Sequence, residues 1–69
     1  MKHADYKSSI AAFTKAIELN PQFAEAYHKR GLRYQSLGDD RQALIDLKKA
    51  AQLGHKSTQE YLRFQNINW

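Results

Sequence analysis

Apolar side chains return along this chain at helical intervals. Tyr6, Ile10, Phe13 and Ile17 follow one another at steps of four, three and four, which lines them up on one helix face. Asn20-Pro21 predicts the end of that helix, because proline drives the preceding residue out of helical geometry. Ala24, Tyr27, Gly31 and Tyr34 share a face of a second helix, and Gly38 is placed to end it in a left-handed conformation. Asp39 is placed to cap a third helix, with Gln42 three residues on in capping-box spacing. That helix carries Ala43, Leu44, Leu47, Ala50 and Ala51, and Gly54 closes it. A fourth helix is predicted from near Ser57, with Glu60 three residues on; it carries Tyr61, Leu62, Phe64 and Ile67. Phe64, Ile67 and Trp69 are expected to fold back onto the third helix. No stretch alternates as a strand does. The connections are a few residues long, so neighbouring helices run antiparallel in an all-α chain.

The chain also repeats itself. A shift of 34 residues lays Asp5 on Asp39, Lys15 on Lys49, Ala16 on Ala50, Leu19 on Leu53 and Tyr27 on Tyr61, with Ile10 on Leu44 and Phe13 on Leu47. A 34-residue period with two helices per unit is the signature of tetratricopeptide repeats. Residues 24–54 resemble one complete repeat of that family: Tyr27, Gly31 and Tyr34 match its first helix, Gly38-Asp39 its turn, and Ala43, Leu47 and Ala50 its second helix. Residues 4–21 resemble the second helix of a preceding, incomplete repeat, and residues 56–67 read as a capping helix, all within one domain of residues 1–69. Arg30 stands where the family usually has leucine, Ser9 where it has alanine, and His55 where a second repeat would have proline. The run Lys48 to Leu62 is also similar to the related Sel1-like repeats. Both resemblances imply an antiparallel helix-pair solenoid of four helices.

Gly31 then has a structural reason. Without a side chain it lets the two helices of one repeat approach, and packing offsets a helix-propensity cost of about 1 kcal/mol. Ile10, Phe13 and Ile17 lack the first helix that would cover them. Either that helix lies upstream in a longer chain, or the open edge pairs with another copy in a homodimer, the commonest closed assembly.

Composition narrows the function. A 69-residue chain buries only roughly 60% of its unfolded surface. It has no cysteine, so no disulfide or thiolate-bound metal supports it, and this suits a reducing cytoplasm. No apolar run follows Met1-Lys2 as a secretory signal would, and the stretch Ser8 to Thr14 is far too short to span a membrane. The net charge is +4, but acids and bases alternate at helical spacing: Glu25 near Lys29, Asp46 near Lys49, Glu60 near Arg63. Such pairs read as a solvated face.

Arg30, Arg33 and Arg41 with Tyr27 and Tyr34 make a basic, aromatic set, but the tyrosines lie on the core stripe, which argues against base stacking and nucleic acid. His3, His28 and His55 are spread out, with no paired metal-ligand spacing. There is no glycine-rich phosphate loop and no cysteine nucleophile, so neither an enzyme nor a cofactor is expected. The family resemblance implies a protein-interaction module or scaffold whose groove is lined by the first helix of each repeat. Carried over, that groove holds Glu25, His28, Leu32, Gln35 and Ser36, and the partner is a protein or peptide. One subclass clamps the C-terminal carboxylate of heat-shock chaperones with lysine, asparagine and arginine from three repeats; His28 and Leu32 stand at the matching positions here, which does not fit. The remaining alternative is a purely structural, self-assembling piece.

Overall fold

A computed structural model describes residues 3–69, with side chains from Asp5 onward, so the expectations on Met1, Lys2 and the His3 side chain lie outside the described residues. The described residues form α1 (His3–Leu19), α2 (Ala24–Ser36), α3 (Asp40–Gln52) and α4 (Lys56–Phe64).

The breaks between these helices follow one scheme. After α2, Gly38 adopts φ +83°. The Asp39 N–H then donates to the Tyr34 carbonyl at 2.9 Å, and Gly38 N–H to Gln35 O at 2.9 Å. After α3, Gly54 adopts φ +98°, with His55 N–H donating to Ala50 O at 3.0 Å and Gly54 N–H to Ala51 O at 3.0 Å. After α4, Asn66 takes the same role at φ 60°, with Ile67 N–H on Leu62 O at 2.8 Å. Each is a Schellman ending, which satisfies carbonyls the helix would leave bare. The first two feed directly into the next helix. Asp39 accepts the Gln42 N–H on its carboxylate, as the spacing predicts, and His55 accepts the Thr58 N–H on Nδ1. The cap of α4 is therefore His55 rather than Ser57, and α4 starts at Lys56. An imidazole is a less common cap than a hydroxyl, so nothing in the local spacing marks it.

The helices pack in chain order, α1 on α2, α2 on α3 and α3 on α4. The core is small-residue and close. Ala26, Ala43, Leu47, Ala50, Ala51 and Leu62 are buried. A Cβ placed on Gly31 would lie 3.1 Å from Leu47 Cγ and 3.2 Å from the Ala43 carbonyl, so α2 and α3 meet closely there and a side chain would require its neighbours to shift by a few tenths of an ångström. Ile10, Phe13 and Ile17 are half-buried, not bare, on the face of α1 that carries Thr14, which touches α2. At the far end the fold-back holds only for Ile67, which reaches the Leu47–Ala51–Leu62 cluster. Phe64 is 84% exposed and Trp69 39% exposed. The left-handed turn at Asn66 sends Ile67 inward as the apolar partner of Leu62, which a helical period carried past residue 64 does not anticipate. The side chain of Gln59 donates to Ala51 O at 2.9 Å and ties α4 to α3.

Candidate functional site

α2 stands between α1, α3 and α4, and two polar clusters hold it there. The first is built on Arg30. Its Nε and Nη2 donate to the two carboxylate oxygens of Asp46 on α3, both at 2.8 Å, and its Nη1 donates to Thr14 Oγ1 on α1 at 3.1 Å. The Thr14 hydroxyl in turn donates a hydrogen bond to Ile10 O at 2.7 Å. The guanidinium also lies 5.8 Å from the Tyr27 ring centre and 6.0 Å from that of Tyr34. Asp46 is only 1% exposed. The solvated Asp46–Lys49 pair expected from i,i+3 spacing is therefore replaced by a buried, bidentate Arg30–Asp46 pair joining three helices. The hydrogen bond to Asp46 holds the Arg30 proton more firmly, against the opposing effect of burial. Of the other two expected pairs, Glu25–Lys29 forms at 3.4 Å, whereas Arg63 lies over the Trp69 ring at 5.8 Å.

The second cluster joins α2 to the start of α4. The His28 and His55 rings stack with centres 4.5 Å apart. Thr58 Oγ1, fully buried, lies 2.7 Å from Nδ1 of each. The protons follow from counting donors. His55 Nδ1 already accepts the Thr58 N–H, so it is bare and also takes the Thr58 hydroxyl proton. The hydroxyl oxygen is then the acceptor for His28, whose Nδ1 carries a proton. Burial, and then His55, push the His28 pKa down; Glu25 opposes and Lys29 adds to the fall. Histidines far apart in the sequence thus meet in space. Among the described residues no group of three or more His, Cys, Asp or Glu could hold a metal ion.

The expected groove residues lie along α2, and one of them, His28, belongs to the second cluster. Glu25 is exposed and paired with Lys29. His28 is half-buried in the α2–α4 junction. Leu32 is half-buried on the same face. Gln35 is exposed, and its amide donates to the Tyr61 hydroxyl at 3.1 Å across the mouth of a groove of about 400 Å³ that also touches Leu44 and Ile67. Ser36 donates to Leu32 O at 3.2 Å. The structure therefore sets part of the α2 stripe against α4, through His28 on Thr58 and Gln35 on Tyr61. Tyr61 faces outward, and Leu62 takes the buried place on α4. Thr58 and His55 were not visible as site residues; the only local sign was a histidine where the repeat pattern has proline. Among the described residues no helix is long and apolar enough to cross a membrane.

Comparison with known proteins agrees with this architecture. The family model described as "TPR repeat" matches residues 5–38, and that described as "Tetratricopeptide repeat" matches residues 24–53. The chain is 33% identical over 63 residues to the Small glutamine-rich tetratricopeptide repeat-containing protein 2 of Mycosarcoma maydis, covering 91% of this chain and 18% of that protein. It is 37% identical over 62 residues to the Protein STIP1 homolog of Dictyostelium discoideum, covering 90% of this chain and 11% of that protein. The chain thus spans less than a fifth of the length of either relative. No solved structure matches significantly. With two matches overlapping on α2, and helices that close on each other at Gly31 as the repeat requires, the chain belongs to the tetratricopeptide-repeat family.

Proposed function

We propose that this chain binds a peptide or protein segment on the α2 stripe centred on Leu32, with Glu25, Gln35 and Ser36 beside it and His28 and Tyr61 at the α4 edge. Tetratricopeptide repeats form protein–protein interaction modules, and helical-repeat solenoids bind along surfaces built by successive helices. The observation that carries the reading is the pairing of Gln35 with Tyr61, which brings α2 and α4 to one surface beside an open groove. Leu32, half-buried off the core stripe, supplies the apolar contact of the α2 stripe. Peptides selected from a random library on the intact chain test the proposal. Such peptides should lose about tenfold or more in affinity on Leu32→Asp, with the fold intact by circular dichroism. Equal binding to both proteins would place the surface elsewhere.

Self-association is the second reading, favoured by Ile10, Phe13 and Ile17 remaining half-exposed in the monomer. Light scattering across a concentration series decides it. A mass near twice 8.0 kDa supports a homodimer through this edge, and a constant 8.0 kDa rejects it.

A further inference from the structure

A second groove, of about 420 Å³, runs between α2 and α3. Its α2 wall includes Tyr27 and Arg30; its α3 wall includes Ile45, Asp46, Lys48 and Lys49. Tyr27 and Arg30 lie about 130° round α2 from the His28–Leu32–Gln35 stripe, taking 3.6 residues per turn. The groove is therefore a different face from the one proposed above.

Its chemistry is asymmetric. Ile45 is 55% exposed, a branched aliphatic side chain left at the groove with no apolar cover. Of the charges lining the groove, Asp46 is the one acid, and both its oxygens are taken by Arg30. Lys48 and Lys49 are half-buried, and neither is ion-paired among the described residues. The lining thus presents two uncompensated ammonium groups beside an apolar strip of Ile45 and Tyr27. A basic segment would be repelled here. A neutral apolar segment would cover the lysines and give them nothing in exchange for water. A nucleic acid would need an open ring to stack on, and the Tyr27 ring already faces the Arg30 guanidinium at 5.8 Å.

We propose that this α2–α3 groove is a second docking surface, and that its occupant is an acidic polypeptide segment carrying one large apolar residue. The apolar residue sits on the exposed Ile45, and flanking carboxylates pair with Lys48 and Lys49. Three of the five N–H donors of Arg30 already serve Asp46 and Thr14, so the carboxylates of the occupant are assigned to Lys48 and Lys49.

The probe is a short fluorescein-labelled peptide of aspartates flanking a single phenylalanine, titrated by anisotropy against the full chain. Saturable binding is expected, with loss of about tenfold or more in the Lys48→Glu/Lys49→Glu variant and a several-fold loss in Ile45→Ser. Ile45 is exposed and Lys48 and Lys49 are half-buried, so circular dichroism checks the fold of each variant. An all-aspartate peptide should bind several-fold more weakly, and Leu32→Asp should leave affinity unchanged. The proposal is overturned if the probe does not saturate, or if neither groove variant weakens it. It is equally overturned if Leu32→Asp removes binding, which would move the site to the other face. Displacement by a single-stranded oligonucleotide that is indifferent to Ile45→Ser would show a nucleic-acid surface instead.

Discussion

Replacing Arg30 by leucine, the residue usual for the family at this position, removes one half of a buried ion pair and leaves the other half behind. Asp46 is 1% exposed and receives two 2.8 Å hydrogen bonds from Arg30. No other side chain among the described residues donates to it. An uncompensated buried charge costs about 3–5 kcal/mol. A chain of 69 residues has on the order of 3–10 kcal/mol of stability in total. Arg30→Leu should therefore remove a large share of that stability, and all of it if the wild type lies at the lower end of the range. Asp46→Leu should cost less. The Arg30 side chain is 16% exposed and keeps its bond to Thr14, so the guanidinium can turn toward water. The double variant Arg30→Leu/Asp46→Leu removes both charges and refills the site with apolar volume. It should return to within about 1 kcal/mol of wild type, or exceed it. Urea unfolding followed by far-ultraviolet circular dichroism gives all four corners of the cycle, and the coupling should amount to several kcal/mol. If the double variant were no more stable than Arg30→Leu, the charge argument would be wrong and the loss would be one of shape.

Gly31→Leu should unfold or splay the α2–α3 pair. A Cβ there already meets Leu47 at 3.1 Å and the rigid Ala43 carbonyl at 3.2 Å, so a thermal melt matching wild type would refute the close-approach account. Leu62→Ala, fully buried, should cost about 2–5 kcal/mol in urea. Phe64→Ser, at a position 84% exposed, should stay within about 0.5 kcal/mol of wild type; comparable losses in the two would mean that α4 is rotated from the orientation described. Stability should also fall with acid through His28, whose pKa burial holds below 6.5. The unfolded chain binds that proton first, so the stabilisation is complete above 6.5 and lost as pH falls through the folded-state value. The melting temperature should drop between about pH 7.5 and about pH 5, and His28→Gln should flatten the drop; identical slopes in the two proteins would remove His28 as the cause.

The helices and their breaks were legible because each rests on local chemistry. Gly38 and Gly54 announce left-handed endings, Asp39 announces a cap, and the apolar steps announce faces. Gly31 was legible because the repeat period made a glycine inside a helix a packing requirement. The contacts between helices were not legible in the same way. Asp46 lies three residues from Lys49 and sixteen from Arg30, so helical spacing favours the wrong partner, and only the α2–α3 crossing brings the right one to 2.8 Å. His28 and His55 are 27 positions apart, and no ligand spacing joins them; a turn built by Gly54 and a hydroxyl on Thr58 do. Phe64 was misplaced because the period was carried through a helix that stops at that residue.

The two clusters divide the work of orienting α2. Arg30 fixes α2 against α1 and α3 through directional bonds that do not titrate near neutrality, because an arginine held by a carboxylate stays charged. His28 fixes α2 against α4 through one shared hydroxyl whose proton order requires His55 Nδ1 to be bare. Burial, the largest effect on His28, disfavours its charged form, so a proton added there sets a cation inside this junction against the stacked His55 ring. Acid therefore acts on the α2–α4 junction and spares the α1–α2–α3 junction. The surface proposed around Leu32, which reaches α4 through the Gln35–Tyr61 bond, is expected to be coupled to that junction. The Ile45 groove, built from α2 and α3 alone, is not.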